Sequence, residues 1–202
     1  MSAREKILEA ADELFGSTGF DATTTREIAA ACGVNKALIH YHFKNKDLLL
    51  EAVLDRYYEK LGQTILGSLG GEGTIRERAH RLVDTYVDFL AANRSFSSII
   101  QKEAAAGRHV DRIGERMVPL FQTGTTMLAE AYPGARAGEM AAEQLLVSFY
   151  GMVISYFAYS NVLEHLLDTD PVSDEALAVR KRHLCRLLDV ILDSLEQDGG
   201  SA

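Results

Sequence analysis

The chain has 202 residues, a formal net charge of −8, 47% hydrophobic and 25% charged residues; that is enough for a buried core in one large domain or two unequal ones, and it argues against disorder. No apolar run reaches the about 18 residues that a bilayer span needs. The polar, then amphipathic start MSAREKILEAADELF is unlike a signal peptide, so cytoplasm is the expected compartment and no membrane partner is expected.

The pattern is helical throughout, with no internal repeat and no strand-period segment of useful length, so the predicted fold class is all-α with about nine helices. Ile7, Leu8, Ala11, Leu14 and Phe15 mark one face of a first helix, which ends over Gly16 to Gly19. Thr24 caps the next, with Glu27 three residues on completing a capping box. Ile28, Ala29 and Cys32 follow at helical spacing, and Gly33 stands where a helix stops in a left-handed turn. Asn35 caps a short second helix that runs to about Phe43. Two short helices around a Gly-containing turn, over about residues 24–43, are a helix-turn-helix signature. Ile39 and Phe43 are four apart and share the packed face, which turns Lys36, Ala37, His40 and Tyr41 outward. No carboxylate occurs between Glu27 and Asp47, and a basic stretch in an acidic chain suits phosphate binding.

Asn45 caps a long fourth helix with Leu49, Val53, Tyr57, Leu61 and Ile65 as its apolar positions. The run Leu69-Gly70-Gly71-Glu72-Gly73 is the clearest linker. A fifth helix from Thr74 to about Asn93 carries Ala79, Leu82, Val83, Tyr86, Phe89 and Leu90. Ser95 to Ala106 is a shorter helix broken at Gly107, and the helix from about Val110 contains Pro119, which is expected to kink or divide it. After the turn at Tyr132-Pro133-Gly134, a long apolar helix is predicted from about Ala137 to Leu167. A last helix follows from Asp174 to about Leu195, and the tail Gln197 to Ala202 is expected to be disordered.

The opening REKILEAADELFGSTGFDATTTREIAAACGV and the later HYHFKNKDLLLEAV resemble the TetR family of bacterial transcriptional regulators. The match covers roughly the first quarter of the chain. The family usually has Gly where this chain has Ala37, and often Tyr where it has His40, so no known operator transfers. The resemblance implies a three-helix DNA-binding domain at 1–46 and a helical-bundle domain for effector binding and dimerisation at 47–202. It also implies phosphate contacts from Thr25, Tyr41 and His42. Lys46, at the start of the fourth helix, is a further phosphate candidate. Arg26, Lys36 and His40 are candidates for base reading, with Ala37 or Leu38 against a thymine methyl and Asn35 in the same DNA-facing set.

The segment Leu145 to Leu167 is apolar almost all round and must be covered on several sides. In a TetR-like protein the last two helices of each chain form a four-helix interface. Tyr159, Leu163, Leu184, Leu188 and Ile191 are therefore the expected contacts of a homodimer, while Arg180, Lys181, Arg182 and Arg186 stay wet. The resemblance also implies a pocket in the body for a small apolar or amphipathic effector. Its candidates are Phe89, Phe96, Ile100, Met117, Phe121, Phe149, Met152 and Tyr156, with Gln101, Glu103 and Asn161 as polar groups. No P-loop, nucleophile elbow or paired-Cys metal motif is present. His40 and His42 lie about 200° apart on a helix, poor for one ion. No enzyme activity, metal or cofactor is expected. The function expected is a ligand-released repressor on a double-stranded, near-palindromic operator. The alternatives are a redox- or metal-responsive regulator on the same scaffold, using Cys32 or Cys185, and a helical interaction protein without DNA binding.

Overall fold

The structure is a computed structural model that describes residues 1–199. Among the described residues it is all-helical, with ten α-helices, one short 3-10 turn and no strand. The chain forms two compact units, one of Met1–Lys60 with Asn93–Arg116, the other of Leu61–Ala92 with Met117 onward. The first unit therefore differs from the expected division at residue 46.

In the first unit, α1 (Ala3–Ser17) opens with a capping box in which the Ser2 amide donates to Glu5 at 2.6 Å and the Glu5 amide to Ser2 Oγ at 3.2 Å. Its apolar face buries Ile7, Ala11 and Phe15, and it packs on α2 (Thr25–Cys32) and α3 (Lys36–Phe43), while Asp12 ties it to Arg56 and Tyr57 of α4 (Lys46–Leu69); Ile28, Ile39, Leu49 and Leu50 are buried in the same unit. α5 (Ile75–Ala92) belongs to the other unit; α6 (Arg94–Ala105) returns to this one and packs on α1. Gly16 makes that packing possible, since a Cβ there would sit 2.7 Å from Ser95 Cβ. Ser98 Oγ and Lys102 Nζ then both donate to the Gly16 carbonyl, at 3.0 and 2.8 Å. This close approach is why α6, nearly 80 positions on, joins the head.

α7 (Val110–Ala131) begins in the first unit and continues into the second. It runs through Pro119 as one helix, so the expected division there does not occur. The second unit adds a 3-10 turn (Pro133–Ala135), α8 (Ala142–Ala158), α9 (Ser160–Leu167) and α10 (Asp174–Gly199). Part of its core gathers Tyr132, Ala135, Ala142, Leu192 and Leu195. α10 lies antiparallel to α5. Arg76 donates to Asp189 at 3.0 Å and Asp193 at 2.6 Å, while Lys181 meets Asp88 at 2.7 Å at the other end.

Two expectations about this unit fail. The long helix predicted from Ala137 starts only at Ala142, after a left-handed Gly138, and bends by 77° between α8 and α9. Tyr159 leaves helical geometry at φ −105°, ψ 21°, just before Ser160-Asn161, two residues that favour turns and caps over helix interiors. The last helix continues to Gly199, so residues 197–199 are helical rather than disordered. The rest of that tail, residues 200–202, lies outside the described residues. No single helix among the described residues is long and apolar enough to cross a membrane.

Candidate DNA-reading head and effector cavity

The helix-turn-helix is set by local chemistry. The Thr24 amide and hydroxyl donate to Glu27 Oε2 at 2.7 and 2.8 Å, which holds the Glu27 carboxyl below its usual pKa, and the Glu27 amide donates to Thr24 Oγ1 at 3.2 Å. Gly33 ends α2 at φ 67°, a conformation that disfavours any residue with a Cβ. The Val34 amide then returns to the Ala29 carbonyl at 3.0 Å. Asn35 Oδ1 accepts from the Ala37 amide at 2.9 Å and starts α3. Asn35 is thus committed to its cap through one oxygen.

α3 is two-faced. Ile39 and Phe43 are buried, while Lys36, Ala37, Leu38, His40 and Tyr41 are exposed. Tyr41 is 80% exposed, its ring edge-on to His42 at 5.1 Å. Arg26 is exposed on α2, Thr25 and His42 half-buried. Lys46 is placed differently from a free surface cation. Its Nζ donates to the Phe20 and Thr23 carbonyls at 2.8 and 3.0 Å and stands 4.2 Å over the Phe20 ring. It ties the α1–α2 loop to α4 and keeps one N–H for another acceptor. Sequence reasoning missed Lys44. It is exposed, basic, and leaves α3 at φ 63°; the break itself was expected between Phe43 and Asn45, but no role was read for the residue in it.

Within the second unit lies a cavity of about 130 Å³ among α5, α7, α8 and α10, with Leu69 of α4 also lining it. Ala79, Leu82 and Val83 face it from α5, Met127 and Leu128 from α7, Phe149 and Met152 from α8. α10 contributes Leu184, Leu187, Leu188, Ile191 and Leu192. No lining side chain carries nitrogen or oxygen. Gly124 of α7 allows close approach here, because a Cβ would lie 2.6 Å from Leu146 Cδ2.

A family profile described as bacterial regulatory proteins of the tetR family matches residues 7–53. A probable HTH-type transcriptional regulator of Bacillus subtilis, YttP, is 31% identical over 51% of this chain and 51% of its own length. Residues 7–53 thus form a segment of the kind found in bacterial regulatory proteins of the tetR family. The class A tetracycline repressor protein from an Escherichia coli transposon is 27% identical over 97% of this chain and 82% of that protein. A crystal structure of a TetR-family transcriptional regulator from Bordetella parapertussis shares the fold at TM-score 0.75, with 18% identity, over 91% of this chain and 92% of that one. The match to YttP thus spans about half of that relative, and two other Bacillus subtilis regulators, YerO and YuxN, are matched over 19% and 36% of their own lengths.

Of the eleven polar and apolar positions expected around a TetR-type pocket, only Phe149 and Met152 line this cavity. Phe96, Ile100, Gln101 and Glu103 belong to the other unit. There Phe96 packs on Tyr57 and Tyr58, and buried Glu103 accepts from Arg108 and pairs with His109. Phe89 is core, Phe121 stacks edge-on with Tyr150, and Asn161 is exposed; Met117 and Tyr156 lie off the lining. Three of the expected dimer contacts also move. Leu184, Leu188 and Ile191 face the cavity of their own chain, and Leu184 is 1% exposed. The apolar stripe of α10 is thus its inward face, and the outward one carries Val179, His183, Arg186 and Val190. Tyr159 is exposed and Leu163 half-buried. Arg180 is half-buried rather than wet, and Lys181 pairs with Asp88.

Cys32 Sγ donates to the Ile28 carbonyl at 3.0 Å. Burial, with Asp84 and Asp189 adding to it, pushes the Cys185 thiol up, away from the reactive thiolate. Among the described residues no three His, Cys, Asp or Glu side chains gather as a metal site.

Proposed function

We propose that this chain is a TetR-family, sequence-specific DNA-binding repressor that binds a near-palindromic operator as a homodimer. The observation that carries the reading is α3 itself. A helix whose packed face is filled by Ile39 and Phe43 leaves Lys36, Ala37, His40 and Tyr41 in solvent, in a stretch free of carboxylates. In this reading Lys36, Arg26 and His40 meet base edges, and Leu38 or Ala37 meets a thymine methyl. Thr25, Tyr41, His42, Lys44 and the remaining N–H of Lys46 hold phosphates, with Asn35 setting the register of α3. The role is non-enzymatic and belongs to the bacterial cytoplasm, where the chromosome is.

The dimer interface in this proposal uses the outward faces of α8 and α10. Val147 and Val190 are 59% and 54% exposed, and Val162 and Leu166 of α9 are open too. Exposed apolar side chains on these helices support a protein partner. A small effector in the cavity releases the operator by favouring a form whose heads no longer match the half-site spacing; it does so only as far as it prefers that form.

Selection of bound duplexes from a random pool by the purified protein tests this reading. One enriched, near-palindromic motif is expected. Recovery of unselected sequence, with binding that only follows salt, would leave a non-specific basic surface instead.

A further inference from the structure

Arg180 is a half-buried cation of the second unit with no carboxylate partner among the described residues. Arg76 has three carboxylate partners and Lys181 has Asp88. Arg180 donates through Nη2 to one acceptor, the Met152 carbonyl at 2.7 Å, and stands 4.8 Å over the Tyr156 ring. Its Nε is buried without a hydrogen-bond partner. No carboxylate forms an ion pair with it among the described residues. The nearby Asp170 instead accepts from the Val172 amide at 2.9 Å. Burial lowers the Arg180 pKa, which marks the desolvation its surroundings leave uncompensated.

Its position gives this orphan charge a use. On α10, Arg180 lies one helical turn before Leu184, the first cavity-lining residue of that helix. On α8, Tyr156 lies one turn after Met152, the last cavity-lining residue there. The stacked Arg180–Tyr156 pair therefore stands beyond one end of a cavity that is otherwise apolar. The Tyr156 hydroxyl, held by donating to the Pro171 carbonyl at 2.7 Å, keeps lone pairs but has no proton to spare. The donors on offer there are those of the guanidinium.

We propose that the effector is a small monocarboxylate, with its apolar body in the cavity and its carboxylate on the Arg180 guanidinium. This rests on the effector reading given above and narrows it from apolar or amphipathic molecules to acids. A guanidinium matches a carboxylate through paired N–H donors, and such charge-assisted bonds strengthen away from water. The size of the body follows from the space. An engineered apolar cavity of about 150 Å³ holds benzene, so one ring or a short alkyl chain fits the cavity here.

The test is calorimetric titration of the full-length protein with two matched pairs, 3-phenylpropionate against 3-phenylpropanol and hexanoate against hexanol. Each acid is expected to bind at least about tenfold more tightly than its alcohol, the equivalent of one charge-assisted bond. In Arg180→Gln the preference should collapse while alcohol binding persists, and Arg180→Lys should recover part of it. Alcohols binding as tightly as acids to the unmodified protein overturns the anchor and leaves the effector cavity standing; that arm needs no variant to fold. An acid preference that survives Arg180→Gln overturns it equally. If no member of either pair binds, both the anchor and the cavity's role as effector site are overturned.

Discussion

The reading face of α3 and the cavity of the second unit use helix surfaces in opposite ways. α3 commits one narrow face to the core and leaves five of its eight residues exposed, all within a single short helix. The cavity draws its lining from Leu69 to Leu192, and every contributing helix turns apolar side chains towards a space they do not fill. A DNA-reading surface is thus a local property of a few neighbouring residues. A ligand site is a property of how distant helices meet, and one Gly-to-Leu close approach, Gly124 against Leu146, helps set its shape.

The largest effect expected separates the two functions at the dimer. Val147→Glu with Val190→Glu changes only exposed positions, so the monomer should stay folded. Sedimentation should show monomers, and operator affinity should fall by about 100-fold or more, because the two heads no longer share one binding event. Leu188→Glu is the contrasting change. It puts a charge at the cavity lining and should lower the melting temperature instead. An intact dimer in the double Val variant would move the interface elsewhere.

Lys36→Ala probes the head alone. It should cost about 1–3 kcal/mol of operator binding and relax base preference at one position per half-site, read from a repeated selection. An unchanged sequence logo would remove Lys36 from base reading.

Ala79→Leu probes the body alone, since Ala79 lines the cavity. Filling apolar space should stabilise the protein by about 0.5–2 kcal/mol, seen as a higher melting temperature, and abolish any ligand-induced thermal shift while operator affinity without ligand stays put. A lower melting temperature would mean the space is too tight for the added carbons.

These contrasts follow what the sequence made legible. Thr24, Glu27, Gly33 and Asn35 act on neighbours within four positions, and the Ile39–Phe43 spacing identifies the buried face, so the helix-turn-helix and its packed side were visible before any tertiary contact was known. In the body, periodicity marked Leu184, Leu188 and Ile191 as one apolar stripe but carried no sign of whether it faced a partner or the chain's own interior. The α8–α9 bend at Tyr159 was hidden because the apolar run continues across it. Arg180 looked like one of four surface cations until Met152 and Tyr156 were placed around it.

A smaller effect distinguishes binding from bracing. Lys46→Ala should lower the salt slope of DNA binding by about one unit. It should also loosen the α1–α2 loop, seen as faster amide exchange at Thr23, whose carbonyl Lys46 holds. Loosening without a change in slope would confine Lys46 to bracing.

The smallest effect is in Asp12, within the first unit. Burial raises its pKa against bonds from Tyr57 and Arg56, and its Oδ1 is buried without a partner. A raised folded-state pKa means the charged form destabilises the fold at neutral pH, and this cost disappears as pH falls past the folded value towards about 3.9, the unfolded one. The stability of the unmodified protein relative to Asp12→Asn should therefore rise between pH 7 and pH 4. A difference that is flat with pH would mean Asp12 is no more strained than an exposed carboxylate.

The most direct test of the central claim, that α3 reads base edges in the major groove, is methylation interference on the selected operator. Methyl groups at guanine N7 project into the major groove. The account predicts that they block binding in two clusters related by the operator's dyad, about one helical turn or a multiple of it apart, and that Lys36→Ala removes interference at one guanine in each cluster. Binding untouched by N7 methylation, or interference confined to a single cluster, would contradict it.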